Sequence, residues 1–126
     1  EGHVLTACLR NAAAIADAIG AVGEVAVIPA GERWADGSLR PALEDWLGAG
    51  AVIHHLGAEG TPEAEAAALA FEAMSDRLEG VLRECASGRE LVERGYEIDV
   101  TMAAALNVSD AIPELDEGAY ARRRTA

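Results

Sequence analysis

The chain has 126 residues, 51% hydrophobic and 25% charged, which suits one domain with one core and excludes a disordered chain. Its 22 acidic and 10 basic residues give a formal charge of −12, which repels phosphate backbones and anionic membrane surfaces and so argues against nucleic-acid or membrane binding. All the bases are Arg and none is Lys, which excludes a Schiff-base or P-loop lysine within the chain.

No run approaches the ~20 apolar residues of a membrane helix, and no basic, apolar leader opens the sequence. A cytoplasmic protein is expected, with Glu1 read as an internal position. Cys8 and Cys85 stand in no CxxC spacing and are expected to be small buried thiols in a reducing compartment.

The apolar run Val4–Leu9 reads as a buried strand, and Asn11 as the N-cap of a helix over 12–19 stopped by Gly20. Val25-Ala26-Val27-Ile28 reads as a second strand. Strand, helix and strand together predict a βαβ unit with parallel strands. The polar loop Gly31–Ser38 follows at the carboxyl end of that strand, where open α/β sheets bind ligands. A helix from near Pro41 runs through Gly48-Ala49-Gly50 to Leu56. Thr61-Pro62-Glu63 starts the longest helix, predicted to end near Cys85. Ser87 with Glu90 reads as a capping box opening a short helix closed by Gly95, and Ile98–Leu106 as another short helix. Ala111–Leu115 predicts a final strand, and Arg122-Arg123-Arg124 a frayed basic tail. The fold class is α/β, with a small, mostly parallel sheet. Three visible strands are few for this much helix, so further strands are expected from another segment or subunit.

The densest polar cluster is Glu32, Arg33, Asp36, Ser38, Arg40, Glu44 and Asp45. Carboxylate oxygens suit Mg²⁺, and arginine forks suit phosphate. A metal-assisted phosphate hydrolase needs both. The alternative is an ordinary solvated helix start, with the acids facing the helix dipole. Trp34 and Trp46 read as packing residues. Of His54 and His55, one is expected buried and the other exposed.

Several stretches, in order, resemble the C-terminal half of the 2-phosphosulfolactate phosphatase family. They are Ala7–Asn11, Val27–Trp34, Asp36–Asp45 leading into Gly48–Ile53, Ser87–Leu91, Arg94-Gly95-Tyr96, Asp99-Val100, Val108-Ser109 and Ile112-Pro113 before Leu115. The resemblance implies a layered α/β/α fold, of which residues 1–126 would be a single α/β domain forming half. It implies a Mg²⁺-dependent phosphomonoesterase that converts 2-phosphosulfolactate, or another small phosphorylated acid, to the free acid and phosphate, a step toward coenzyme M. The family's N-terminal half carries an Asp/Arg-bearing segment and a Thr/Asn/Gly-rich loop that have no counterpart here. A missing N-terminal half or a partner subunit is therefore expected, and a homo-oligomer is a further option.

On the enzyme reading, Asp45 with Glu44 would hold Mg²⁺. Adjacent helical residues point ~100° apart, which favours Asp45. Glu32 and Asp36 would orient water. Arg33, Arg40 and Arg10 would clamp the phosphate and a second acidic group. Asn11 would bind an anionic oxygen. Asp99 reads equally as a helix-start acid or a site residue. Two other readings stand beside the enzyme: a non-catalytic scaffold or oligomerisation domain, and a sugar-phosphate-binding module without turnover.

Overall fold

The computed structural model describes residues 2–21, 23–57 and 59–123. Arg124, the last residue of the expected basic tail, lies outside them. Six helices dominate: α1 (Ala12–Ile19), α2 (Leu43–Leu56), α3 (Pro62–Met74), α4 (Leu78–Glu84), α5 (Ala86–Glu93) and α6 (Glu97–Ala104). Two hairpins accompany them: β1 (Glu32–Arg33) with β2 (Leu39–Arg40), and β3 (Pro113–Asp116) with β4 (Ala119–Arg122).

The expected parallel sheet is corrected by this topology. Both hairpins are antiparallel. The N-terminal run does not form a buried parallel strand; Leu5 makes an isolated antiparallel bridge to Glu114, supported by Thr6 N–H donating to Pro113 O at 3.0 Å and Leu115 N–H donating to Val4 O at 2.9 Å. Residues 25–28 form no strand. Their β-branched sequence favours a ladder, but no described strand lies beside them to complete one. The fold is a mixture of helix and strand whose core is built by helices.

That core gathers Leu9, Ile15, Leu47, Val52, Phe71, Leu78, Leu82 and Val100, with Ile112 from the approach to β3. Two glycines let helices approach closely. A Cβ on Gly50 would lie 2.1 Å from Ala67 O, and one on Gly88 would lie 1.6 Å from Leu82 O. Gly50 is thus the point at which α3 seats on α2, while Gly48 faces the backbone of Cys8 and Leu9.

The long helix expected to end near Cys85 breaks instead at Met74, where residues 75–77 form a 3-10 turn. Ser75 Oγ donates to Glu72 O at 3.1 Å, a local bond that competes with continuation of the helix. Thr61 caps α3 as expected, accepting from Ala64 N–H. Asn11 does not cap α1 with its side chain. Asn107 does so from 94 residues away, its Oδ1 accepting from Ala13 N–H at 2.9 Å. The cap of α5 is Cys85, whose Sγ accepts from Gly88 N–H, so Ser87 lies inside the helix. At the C-terminus, Glu117 and Gly118 both adopt positive φ (46° and 85°), the paired left-handed conformation of a tight hairpin turn. Of the expected frayed tail, Arg122 therefore ends the strand Ala119–Arg122 and Arg123 N–H donates to Ile112 O at 2.8 Å. Both cysteines are free; Cys8 is exposed and Cys85 half-buried, against the expectation of two buried thiols. His54 and His55 are both exposed.

Candidate functional site

The polar cluster occupies the β1–β2 hairpin and the first turn of α2. Trp34 N–H donates to Ser38 O at 2.9 Å and Gly37 N–H to Trp34 O at 2.8 Å, closing the hairpin. Asp36 sits at its tip, and its Oδ1 accepts from Ser38 Oγ at 2.6 Å and Ser38 N–H at 2.9 Å. The hydroxyl bond, then the amide bond, holds the Asp36 carboxyl below its usual range.

Arg40 is the hub. It pairs with Glu32 across the hairpin register, Nε to Oε2 at 3.3 Å. It reaches α5 through Nη1, which donates to Glu90 Oε2 at 3.2 Å. Nη2 lies 3.0 Å from Glu90 Oε1, at ion-pair distance but without the alignment of a hydrogen bond, so it remains a buried donor. The guanidinium carbon stands 4.8 Å from the centre of the Trp34 ring, a cation–π distance. The hydrogen bond to Glu90, then the surrounding acids, raises the Arg40 pKa further.

The adjacent acids Glu44 and Asp45 diverge, as helical geometry requires. Asp45 Oδ2 accepts from Gly31 N–H at 2.8 Å. Gly31 has φ +68°, and a Cβ there would meet Leu39 Cδ1 at 3.1 Å, so the anchored position suits glycine alone. Glu44 Oε2 turns toward α5, accepting from Ser87 Oγ at 2.9 Å and lying 3.9 Å from Cys85 Sγ. Among the described residues, no three Asp, Glu, His or Cys side chains converge as a cation requires. At the start of α2, Glu44 and Asp45 are half-buried, each with one oxygen committed to protein.

The structure thus brings Glu32, Arg40, Glu44 and Asp45 around one corner, between the hairpin and the starts of α2 and α5. Arg33 is exposed, its Nη1 donating to Gly37 O at 2.8 Å, and its other donors point to no described partner. Asp36 is exposed at the tip. Arg10 and Asn11 belong to another neighbourhood. Arg10 Nη1 donates to Met102 O at 2.6 Å. Asn11 is buried, accepting from Cys8 N–H at 2.8 Å and donating to Thr6 O and Ala111 O. Asp99 lies in the first turn of α6, a helix-start position.

Sequence reasoning missed Glu90 and Ser87 as members of the corner. Both read as a local capping box, which the three-residue spacing suggests. The sequence offered little signal for them: residues 87–90 carry only the Arg89-Glu90 pair, which does not point toward the acids and arginines of residues 32–45.

The sequence model of the family described as 2-phosphosulpholactate phosphatase matches residues 1–118. A protein of Gloeobacter violaceus (strain ATCC 29082 / PCC 7421), named "Probable 2-phosphosulfolactate phosphatase", is 34% identical over 110 residues, covering 87% of this chain and 45% of that protein. One of the same name from Synechococcus sp. (strain JA-3-3Ab) is 35% identical over 119 residues, covering 88% of this chain and 47% of that protein. The chain spans about half the length of the curated relatives it matches.

Proposed function

The chain belongs to the 2-phosphosulpholactate phosphatase family, and on that premise we propose that it is part of a phosphoric monoester hydrolase acting on a small phosphorylated acid such as 2-phosphosulfolactate, releasing sulfolactate and phosphate. The observation that carries this reading is that the family match runs through the acid–arginine corner of residues 32–45. In this reading the complete chain has the layered α/β/α architecture, and the reaction runs in the cytoplasm, feeding coenzyme M synthesis where a cell makes it.

The corner divides the work. Arg33, with its guanidinium largely free, meets the phosphate. Arg40, engaged by Glu32 and Glu90, lends its positive charge to the anion site while fixing the hairpin on α5. Asp45 is the donor this chain offers to Mg²⁺, while Glu44 turns away toward Ser87 on α5. The remaining oxygens come from outside it, since three donors do not converge among the described residues. When bound, the ion would offset phosphate charge and lower the pKa of a bound water. Glu32 and Asp36 orient water at the mouth of the corner. Arg10 and Asn11 contribute by holding the segment before α1 against residues 102 and 111.

The test is phosphate release from 2-phosphosulfolactate and other small phospho-acids. It is run with this chain alone and co-expressed with the portion of the Gloeobacter violaceus relative outside the matched residues, with Mg²⁺ and with EDTA. Turnover that needs both pieces and is abolished by EDTA supports the reading. Mg²⁺-independent turnover, or turnover unaffected by Asp45→Ala, overturns the metal role. A second reading, a non-catalytic scaffold or oligomerisation domain, is favoured by the incomplete donor set; it predicts no turnover under any of these conditions.

A further inference from the structure

Val25–Ile28 is an apolar, β-branched run with only one covered side. Val27 packs against the core, whereas Ile28 is 83% exposed. Among the described residues, the backbone of 24–30 makes no backbone hydrogen bond. Buried strands of α/β sheets are apolar on both faces; this run has that composition without that burial. It leads directly into an open groove of about 440 Å³, lined by Pro29, Leu39, Pro41 and Trp46 among others. Leu39 and Trp46 are themselves 68% and 47% exposed. Apolar surface of this extent next to unpaired backbone marks a strand-addition site.

We propose that Val25–Ile28 and the Pro29/Leu39/Trp46 groove form the docking surface for the part of the family chain that has no counterpart here, which adds a strand beside residues 25–28 and fills the groove with apolar side chains. More than half the length of each relative lies outside the matched stretch, which supplies an occupant of sufficient size. A second copy of this chain is the poorer occupant, because it would bring another −12 charge to the interface. The proposal rests on family membership and not on phosphatase activity, and its readout needs no turnover, so it can fail independently of the functional reading.

The experiment co-expresses this chain with the portion of the Gloeobacter violaceus relative outside the 110 matched residues and measures complex formation and amide hydrogen exchange. The expected result is a one-to-one complex in which the amides of residues 25–28 exchange about tenfold or more slowly than in the free chain. Ile28→Asp, at an exposed position that leaves the isolated fold intact, is expected to weaken the complex about tenfold or more. Leu69→Asp, on the exposed face of α3 away from the groove lining, leaves it unchanged. Failure to associate, association without protection of residues 25–28, or association indifferent to Ile28→Asp overturns the proposal. So does protection of the same amides in the chain alone by self-association.

Discussion

Asp45 Oδ2 accepts the backbone N–H of Gly31 at 2.8 Å, so the first turn of α2 holds the point where the chain enters the β1–β2 hairpin. Asp45→Ala removes that acceptor and leaves a half-buried N–H unpaired, at a cost of about 1–2 kcal/mol in urea unfolding. Asp45→Asn keeps a carbonyl acceptor and is expected to retain most of the stability. In the two-piece phosphatase assay Asp45→Asn is expected to lose Mg²⁺ response, which separates a charge role from an anchoring one.

Helix packing at the two crowded glycines gives a second prediction. Gly50→Ala pushes a methyl to 2.1 Å from Ala67 O, and backbone on both sides leaves little room to relax. A loss of about 1–3 kcal/mol or more is expected, with Gly88→Ala at least as severe. Gly80 lies in α4, and a methyl added there would meet nothing within 4 Å. Gly80→Ala is therefore expected to stabilise by about 0.5–1 kcal/mol. Thermal unfolding of the three variants orders them.

The hub at Arg40 predicts a local effect. Lysine cannot reach Glu32 and Glu90 together while lying over Trp34, because it lacks the planar fork. Arg40→Lys is expected to raise amide exchange in the hairpin and shift Trp34 fluorescence to longer wavelength, leaving the far-ultraviolet helix signal unchanged. An unchanged Trp34 spectrum would mean that the guanidinium does not hold the ring in place.

Acid titration checks the hairpin tip. The folded Asp36 pKa lies below its ordinary value of 3.8, so the turn's contribution to stability is present above that value and lost as pH falls through the folded pKa. Ser38→Ala removes the largest cause of the shift and is expected to raise the Asp36 titration midpoint, followed by carboxyl NMR.

Much of the helical fold was legible. Gly20 after Ile19, Thr61-Pro62 and the spacing of Leu78 and Leu82 are local signals, and local signals survive without knowledge of the rest of the chain. The sheet was not legible, because pairing is decided by what lies beside a strand. Val25–Ile28 has a strand's composition and no described partner, while β4 arises from a turn, Glu117-Gly118, hidden in a polar tail. The corner was half legible. Residues 32–45 announce themselves by charge, but Glu90 and Ser87 join only through the docking of α5, a tertiary fact that the capping pattern masks. Asn11 and Asn107 show the same limit: the nearer residue has the look of the cap, and the distant one performs it.

The antiparallel bridge between Leu5 and Glu114 lies on one edge of β3, and Arg123 N–H donating to Ile112 O at 2.8 Å extends the β3–β4 ladder on the other, so the two extremities of the described polypeptide flank the same strand. A circular permutant that joins them through a short flexible linker and opens at the Asp36-Gly37 tip should keep its helices assembled. Tags or fluorophores attached at either extremity would report on the same patch of surface, on the β3–β4 hairpin.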